Sequence, residues 1–420
     1  MAKEKVVVIG QGYVGLPVAM AAVSAGYDVV GIDLNPHRVR GLVEGISYVE
    51  DISDERLQQA LASGRYTASM SYESAEGFDY AVITVPTPLK ETLPDLSYIE
   101  DSARSLGPYL RKGATVVLES TTYPGTTQEL LVPLLEEGCG LKAGKDFHVG
   151  YSPERIDPGN KTYTFETTPK VVSGITPESL DAVNGLYSQL VETTVPINGT
   201  SEAELAKLLE NTFRHVNIAM VNELAVFAHA LGIDIWQAIE AANTKPFGFM
   251  KFTPGPGVGG HCLPVDPSYL AWQVRRQLGT NFRFVELAND VNDHMPQYVV
   301  QRTIELLNED RKALFGSRVL LVGVSYKKDS GDIRESPSLK VIDLLRNWGA
   351  EVVAADPMVE DYQWPANADR VHLTSEEVAK ADAIVLLTPH SDFDLDLLGE
   401  AQGPVLDTVD ATGLPNVHRL

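Results

Sequence analysis

Cysteine, basic residues and long apolar runs are all scarce in this chain, and each scarcity excludes a class of protein. The 420 residues include two cysteines, Cys139 and Cys262, which excludes a disulfide framework and predicts a reducing, cytoplasmic location. Lysine and arginine number 34 against 57 acidic residues, and the net charge of −23 argues against a nucleic acid or an anionic membrane as partner. A membrane span needs ~18 or more apolar residues in a row, and no run reaches that length. The opening MAKEKVVVIG runs directly into a predicted strand, so we expect no signal peptide.

Apolar, β-branched runs alternate with helical patterns in the first part of the chain. The predicted strands are 6–9, 29–32, 80–85, 115–118 and 148–151, and the helices between them include 14–25, 98–110 and 128–135. Continuous apolar strands separated by helices predict a parallel sheet that is covered on both faces.

A long helix and a second α/β unit follow. Residues 202–231 contain neither Pro nor Gly and have apolar positions at helical spacing, which predicts a helix of about 45 Å. We interpret it as a connector between domains and as a dimer seam. After a helix at 284–307, the predicted strands are 318–324, 351–355 and 383–388, with a crossover helix at 337–348. The two α/β units are candidates for distant structural echoes of each other.

A glycine pattern, GQGYVG, follows the first predicted strand and opens the first predicted helix. Gly10 would allow the tight turn, Gly12 the approach of a pyrophosphate to the backbone, and Gly15 close packing of helix on sheet. Asp33 follows the second strand, where a carboxylate can bind both ribose hydroxyls and repel a 2′-phosphate. The pattern therefore predicts NAD rather than NADP, although Arg38 could accept a phosphate. A purely structural turn is the alternative.

Cys262 lies in GPGVGGHCLPVDP, residues 255–267, after four glycines. Packing gives no reason for such a loop, whereas backbone amides and substrate could approach the thiol through it. We interpret Cys262 as a nucleophile, with Asp266 handling water or protons. A buried structural thiol is the alternative, and it is our interpretation of Cys139. A metal site on His261 and Cys262 is disfavoured, because adjacent residues point apart and no further ligand cluster is evident.

Polar residues of the long helix recur at helical spacing. Lys207, Asn211 and Arg214 are four and then three residues apart, hence on one face. By spacing alone a solvated polar stripe is the better interpretation, whereas the presence of Asn, a poor helix former, points towards a functional role for Asn211.

Three further groups of polar residues follow predicted strands, at the edge where α/β sheets bind ligands. Glu154 follows one strand, and the segment ESTT (119–122) follows another, with turn or cap chemistry as the alternative. In the second unit Lys327, Lys328 and Arg334 suit a phosphate, with a solvated loop as the alternative.

Together these motifs resemble those of the nucleotide-sugar 6-dehydrogenases, the family typified by UDP-glucose dehydrogenase. GQGYVG, VPTP, ESTTYPGTT, SPER, AKLLENTFR, GPGVGGHCLPVDP and KKDSGDIRESPS stand in the family's order over essentially the whole chain. The resemblance implies two Rossmann-like parallel-sheet domains joined by a long central helix: an NAD-binding domain (1–198), a central helical dimerisation domain (199–300) and a UDP-sugar-binding domain (301–420). It also implies a homodimer formed through the central helix.

The resemblance further implies an NAD-dependent, four-electron oxidation of the C6 hydroxyl of a UDP-sugar to the uronic acid, through a thioester on Cys262. The spelling GGHCLPVD is similar to the branch that acts on UDP-N-acetylamino sugars, most closely UDP-N-acetylglucosamine. UDP-glucose or another nucleotide sugar is the alternative substrate.

Site residues are also implied by the resemblance. Lys207 and Asn211 would polarise the C6 oxygen, Asp266 would position water, and Glu154 and Thr122 would complete the acid–base network. The implied cofactor contacts are Gly10, Gly12, Tyr13, Val14, Gly15, Asp33, Arg38, Pro86, Thr87, Thr122 and Arg334. The implied substrate contacts are Glu154, Arg155, Lys207, Asn211, Arg214, Lys251, Gly259 and Lys327.

Other classes fit the residues less well. A nucleotide-sugar epimerase would need a Tyr-x-x-x-Lys pair, which the first domain does not hold at a suitable position. An NAD-sensing binding protein would have no use for a cysteine in a glycine loop. A 3-hydroxyacid dehydrogenase would need neither that cysteine nor a C-terminal α/β unit.

Overall fold

The structure is a computed structural model that describes residues 4–49, 51–90, 93–156, 162–260 and 262–420. The chain forms two compact units, residues 1–210 and 211–420, and each is described by itself. Within the described ranges, no helix is long and apolar enough to cross a membrane.

The first unit is built on an eight-stranded sheet, with a separate short antiparallel pair formed by β5 and β6. Its strands are β1 (Lys5–Ile9), β2 (Asp28–Ile32), β3 (Tyr66–Ser69), β4 (Tyr80–Ile83), β5 (Leu89–Lys90), β6 (Leu93–Pro94), β7 (Thr115–Leu118), β8 (His148–Tyr151), β9 (Lys170–Gly174) and β10 (Thr194–Pro196). The order in the large sheet is β10-β9-β8-β7-β4-β1-β2-β3.

Helices cover both faces of this sheet. They are α1 (Gly15–Ala25), α2 (Pro36–Glu44), α3 (Asp54–Ala62), α4 (Ser97–Leu106), α5 (Val132–Cys139) and α6 (Pro177–Leu190); α7 (Thr200–Ala230) begins in this unit. Alternate residues of β1 enter different cores: Val6 packs with Leu16 of α1 on one face, and Val7 packs with Ile99 of α4 on the other. The predicted two-faced sheet is confirmed, because a strand with no polar side must be covered twice.

Within the eight-stranded sheet, one strand pairing departs from the parallel pattern. β9 runs antiparallel to β8, with Gly150 opposite Gly174 and Tyr151 opposite Ser173. The sequence pattern predicted parallel strands only. As a consequence, the amino end of β9 lies at the edge where β7 and β8 end.

The second unit has a six-stranded sheet in which every pairing is parallel. Its helices are α8 (Ile235–Asn243), α9 (Cys262–Leu278), α10 (Arg283–Glu309), α11 (Pro337–Asn347) and α12 (Ser375–Lys380). Its strands are β11 (Arg318–Val322), β12 (Glu351–Ala355), β13 (Asp369–Arg370), β14 (Ala383–Leu386), β15 (Val405–Asp407) and β16 (His418–Arg419), in the order β13-β12-β11-β14-β15-β16.

The two sheets begin with the same local structure, as expected for structural echoes. Gly10 after β1 and Gly323 after β11 both have φ +88°. A Cβ atom at Gly10 would lie 2.9 Å from the carbonyl oxygen of Thr84, and one at Gly323 would lie 2.4 Å from that of Thr388. In both units the glycine after the first strand packs against the backbone that follows a neighbouring strand, β4 in one unit and β14 in the other. A side chain has no room at either glycine.

Candidate active site

Three glycines shape the turn after β1, and they do so for different reasons. Gly10 has a positive φ, and a Cβ atom on Gly15 would lie 1.8 Å from the Gly10 carbonyl oxygen. A Cβ atom on Gly12 would meet nothing within 4 Å. Gly10 and Gly15 are thus required by the turn itself, while Gly12 leaves open space into which a ligand fits.

The amino end of α1 is suited to an anion. No acidic side chain lies in its first turn, and Val14 at the N-cap provides no side-chain acceptor. The positive end of the helix dipole therefore favours a pyrophosphate there, although the Leu16 amide already donates to the Gly12 carbonyl oxygen over 3.1 Å. Tyr13, which precedes the cap, is exposed beside them.

Asp33 is held in place at the end of β2. Its side chain is 8% exposed and accepts hydrogen bonds from the backbone amides of Gln11 and Asn35, each over 2.9 Å. A guanidinium nitrogen of Arg38 lies 3.5 Å from Asp33 Oδ2. Arg38 is therefore engaged by the acid itself, which favours an NAD ribose over a 2′-phosphate.

The segments after β4 and β7 complete this edge. The Thr84 hydroxyl donates to the Gly10 carbonyl oxygen over 2.8 Å, which ties the end of β4 to the glycine turn. Pro86 and Thr87 follow directly, the first exposed and the second buried. Thr122 is fully buried, and its hydroxyl donates to the Thr126 hydroxyl over 2.6 Å. In the first unit, every predicted cofactor residue therefore lies just after a strand at this edge of the sheet or in a helix that begins there.

Glu154 lies at the same edge, three residues after β8. Its carboxylate accepts from the Ile156 backbone amide and lies 3.5 Å from the Lys170 ammonium. Burial raises the pKa of Glu154, but Lys170, the Ile156 amide and Lys207 of α7 outweigh burial and hold the pKa below its usual range. Glu154 is therefore a buried carboxylate that stays charged.

The two predicted arginines, Arg155 and Arg214, are less buried than the other predicted substrate contacts near them. A guanidinium nitrogen of Arg155 lies 2.8 Å from Glu210 Oε1, and a second donates to the Pro169 carbonyl oxygen over 2.7 Å. On α7, Lys207 and Asn211 are buried, whereas Arg214 is exposed.

In the second unit, Asn211 of α7 meets Asp266 of α9. The side-chain amide donates to Asp266 Oδ2 over 2.5 Å, and both residues are buried. Asp266 lies one helical turn after Cys262, because α9 begins at Cys262. His261 and the Cys262 side chain lie outside the described part of the chain.

The glycine loop before α9 is tightly packed. A Cβ atom on Gly259 would lie 2.6 Å from Tyr326 Cβ, and one on Gly260 would lie 2.7 Å from the Tyr326 ring. One on Gly257 would lie 3.0 Å from Pro337 Cβ. The prediction that packing does not require the glycines is wrong for Gly257, Gly259 and Gly260, which lie against Tyr326 and Pro337, while a Cβ atom on Gly255 would meet nothing within 4 Å.

A cavity of about 600 Å³ opens beside this loop. Three lysines line it, Lys251 before α9 and Lys327 and Lys328 after β11. The ammonium of Lys251 also pairs with Glu240. Arg334 does not line this cavity and instead forms a bidentate pair with Asp332, with its Nε 2.9 Å from Oδ1 and a terminal nitrogen 2.6 Å from Oδ2. The lysines give the cavity the positive charge that a diphosphate needs.

Several buried polar groups were not predicted. In the second unit, His390 Nε2 lies 3.0 Å from Asp356 Oδ2, and the His390 Nδ1 atom accepts from the Asp329 backbone amide over 2.9 Å. Asp356 also accepts from the Val324 amide over 2.8 Å, as Asp33 does from Gln11. Asp356 could have been predicted from its position after β12, because Asp33 stands at the same position after β2 of the first sheet. In the first unit the unpredicted groups are Lys170, Tyr187 and Glu204, whereas the buried Glu119 belongs to the predicted segment ESTT.

Among the described residues there is no group of three or more His, Cys, Asp and Glu side chains arranged to hold a metal ion, and the His261–Cys262 pair lies outside that search.

A dinucleotide turn with an acid at the ribose position, followed by a second sheet with a cationic cavity, defines an NAD-dependent dehydrogenase of nucleotide-linked substrates. The chain belongs to the UDP-glucose/GDP-mannose dehydrogenase family. The NAD binding domain of that family matches residues 4–191, its central domain residues 201–294, and its UDP binding domain residues 320–412. The predicted family and the NAD cofactor are confirmed.

Relatives of known activity extend over nearly the whole chain. It is 36% identical over 391 residues to the UDP-N-acetyl-D-mannosamine dehydrogenase of Pyrococcus horikoshii, covering 93% of this chain and 90% of that one. It is 36% identical over 397 residues to the UDP-N-acetyl-D-glucosamine 6-dehydrogenase of Pseudomonas aeruginosa, covering 93% and 91%. The solved structure of UDP-D-ManNAc dehydrogenase from Pyrococcus horikoshii matches with a TM-score of 0.89 at 33% identity, covering 99% and 98% of the chains.

Proposed function

We propose that this protein oxidises the C6 hydroxyl of UDP-N-acetylglucosamine to the uronic acid through a thioester on Cys262. The observation that carries the proposal is the start of α9: Cys262 is its first residue, and Asp266 follows one turn later in contact with Asn211. A cysteine at a helix N-terminus is favoured as the thiolate, the nucleophilic form. The two amino-sugar dehydrogenases at 36% identity support an N-acetylamino sugar.

The chemistry is two successive two-electron oxidations. The C6 hydroxyl loses its proton and the C6 carbon loses a hydride, which gives an aldehyde. The Cys262 thiolate adds to the aldehyde carbon, and loss of a second hydride from the resulting thiohemiacetal leaves a thioester. Water then adds to the thioester carbonyl, and the thiolate leaves as the carboxylate forms. Bound NAD supplies the hydride acceptor in each oxidation.

Residues of the chain hold the oxygens and protons in these steps. Lys207 and Asn211 donate to the C6 oxygen as it gains negative charge, a role for which one donor is typically worth a factor of ~10²–10³ in rate. Asp266 positions the water that hydrolyses the thioester. Glu154, which its surroundings keep charged, takes part in proton transfer with Thr122.

The nucleotide end of the substrate belongs in the cavity of the second unit. Lys327 and Lys251 line it and suit the diphosphate, and its volume of about 600 Å³ is ample for a uridine diphosphate. The ligand contacts that the family resemblance implies remain predictions for Arg155, Arg214, Gly259 and Arg334.

UDP-glucose is the alternative substrate, and the relatives add UDP-N-acetylmannosamine as a third candidate. The test is NADH production from the purified protein with NAD and each of the three sugars at saturation. We expect two NADH per UDP-N-acetylglucosamine. A higher kcat/KM with either other sugar would overturn the substrate and keep the reaction. No NADH from any of them would overturn both.

The thioester has its own test. An acid-quenched reaction is digested and analysed by mass spectrometry, and the peptide that contains Cys262 should carry the acyl group of the UDP-sugar. Cys262→Ala should stop after one oxidation. Two NADH per substrate from that variant would exclude the covalent route.

We also propose that the protein is a homodimer through α7 and acts in the cytoplasm. One side of α7 exposes large apolar side chains at helical spacing: Leu205, Leu209, Phe213, Met220, Leu224 and Phe227. A stripe of this kind is the pattern that a paired helix buries. The functional division into residues 1–198, 199–300 and 301–420 stays a prediction.

A further inference from the structure

A buried ion cluster lies next to Glu154 at the edge of the first sheet. It consists of Glu119, Lys170 and Tyr187, each no more than 3% exposed. The Lys170 ammonium donates to Glu119 Oε1 and lies 3.5 Å from Glu154 Oε2. The Tyr187 hydroxyl donates to Glu119 Oε2 over 2.6 Å. One ammonium is therefore shared by two carboxylates away from water.

The antiparallel strand brings these groups together. Gly150 faces Gly174 and Tyr151 faces Ser173 in the pairing of β8 with β9. The chain that continues three residues beyond β8 then brings Glu154 next to Lys170, the first residue of β9, with Oε2 and Nζ 3.5 Å apart. A parallel β9 would bring its carboxyl end to this edge instead.

Two aromatic rings also face the ammonium. Lys170 Nζ lies 5.3 Å from the ring centre of Phe165 and 5.5 Å from that of Tyr187. Such contacts favour a cation, and the buried surroundings strengthen its attraction to both carboxylates.

Three ionisable side chains and one backbone amide face Glu154 within this unit. The side chains are Lys170 of β9, Glu119 after β7 and Lys207 of α7, and the amide is that of Ile156. Burial raises the pKa of Glu119 to about 7, whereas the pKa of Glu154 stays below its usual range despite burial. As the pH falls, Glu119 therefore takes up a proton before Glu154 does.

We propose that Lys170 is a positioning residue that fixes the place and the negative charge of the Glu154 carboxylate, with Glu119 and Tyr187 holding the ammonium from the other side. The proposal rests on the proposed function in that Glu154 acts on protons of the substrate there. Lys170 itself touches no reacting atom in this scheme.

The test removes the ion pair as a unit, because deleting Lys170 alone would leave two buried carboxylates without their cation. Three proteins are compared with the wild type: Glu119→Gln, Glu119→Gln with Lys170→Met, and Glu119→Gln with Lys170→Arg. Glutamate is labelled with ¹³C, and carboxylate protonation is followed by infrared titration. Subtracting the same protein with Glu154→Gln isolates the Glu154 signal.

The expected result is selective. In the protein with Glu119→Gln and Lys170→Met (the Met variant), Glu154 should take up its proton at least about one pH unit above the wild-type titration. In the single Glu119→Gln variant, Glu154 should titrate at or below the wild-type pH. The Arg variant should restore the wild-type titration. Equal titration in the Met and single Gln variants would overturn the proposal. Melting temperatures show whether each protein is folded.

The pH profile of kcat/KM with UDP-N-acetylglucosamine links the titration to the reaction. Its acid limb should move with the Glu154 titration in the Met variant. If the Glu154 titration moves but the acid limb of the kcat/KM profile does not, Lys170 has only a structural role, and the positioning role is overturned. A wild-type protein that oxidises no UDP-sugar would refute the proposed function, and the titration would still decide the pairing.

Discussion

The side-chain amide of Asn211 donates to the carboxylate of Asp266 over 2.5 Å, across 55 residues of chain. The contact joins the long helix α7 to the first turn of α9, which begins at Cys262. Both residues are buried, so the amide holds the orientation of a carboxylate that has little water around it.

Replacing Asn211 should damage the reaction more than the fold. We expect Asn211→Ala to lower kcat by ~10²–10³, because it removes both a proposed donor to the C6 oxygen and the partner of Asp266. The measurement is NADH production at saturating NAD and UDP-sugar. Asn217→Ala is the matched control on the same helix, because the Asn217 amide donates to the Phe213 carbonyl oxygen of α7 itself. Equal loss in both variants would contradict a specific role for Asn211.

Cofactor choice should depend on Asp33. Asp33→Ser removes the carboxylate that engages Arg38, and it frees the guanidinium to accept a 2′-phosphate. We expect the KM for NAD to rise about ten- to a hundredfold, since hydrogen bonds to charged groups contribute roughly 1.5–3 kcal/mol. The KM for NADP should fall. Asp28→Ser, at the exposed start of β2, should leave both values as they are. An unchanged preference in Asp33→Ser would place the ribose elsewhere.

Stability should carry a pH dependence that comes from Glu204. This buried carboxylate of α7 accepts from the Thr127 backbone amide over 2.9 Å and from its hydroxyl over 2.6 Å. Burial raises the pKa of Glu204 to about 7 from its ordinary value of 4.5, although these hydrogen bonds lower it. The folded state therefore holds a proton that the unfolded chain releases, so the stabilisation is complete below pH 4.5 and is lost as the pH rises through 7.

Urea unfolding of wild type and Glu204→Gln between pH 5 and 8 measures this effect. As the pH rises, the free energy of unfolding of the wild type should fall by on the order of 3 kcal/mol more than that of the variant, because one pKa unit corresponds to about 1.4 kcal/mol. Other raised groups such as Glu119 are present in both proteins and cancel. Glu202→Gln, an exposed change in the first turn of the same helix, should keep the wild-type slope. Parallel curves for wild type and Glu204→Gln would show that Glu204 titrates normally.

The glycine loop should tolerate no side chain at Gly259. Its Cβ atom would lie 2.6 Å from Tyr326 Cβ and 2.9 Å from the Glu335 carbonyl oxygen, so the loop must move away. We expect Gly259→Ala to lower the melting temperature and kcat together, with a cost of about 1–3 kcal/mol as for other overpacked sites. Gly185→Ala in α6, where a Cβ atom meets nothing within 4 Å, should instead be neutral or slightly stabilising. Full activity in Gly259→Ala would show that the loop has room to shift.

Dimer formation should depend on the exposed face of α7. Leu224→Glu with Phe227→Glu places charges on adjacent turns of the apolar stripe, where both side chains are about half exposed. We expect sedimentation of the wild-type protein at the mass of two chains, and of the variant at one chain of 45.7 kDa. Asn217→Ala serves as the control on the same helix. A monomeric wild-type protein would refute the homodimer.

Local patterns in the sequence were enough to predict much of the fold. The strands at 115–118, 148–151 and 351–355 occur at the predicted residues, and the long helix runs from Thr200 to Ala230 where 202–231 was predicted. The helix α9 was not predicted, because Pro264 and Pro267 and the preceding glycines favour a loop when read locally. The cofactor turn was predictable because the glycine spacing and the acid after β2 are both local signals.

The remaining site was decided by contacts between distant segments. The sequence determined the elements of the two sheets, the long helix and the glycine turn, since each depends on side chains only a few residues apart. The tertiary structure decided that β9 runs against β8 and so brings Lys170 next to Glu154. It also decided that Tyr326 leaves no room for a side chain at Gly259 and Gly260, and that Asn211 meets Asp266. These pairings depend on strand direction and packing across many residues of chain, which hydrophobic periodicity does not encode.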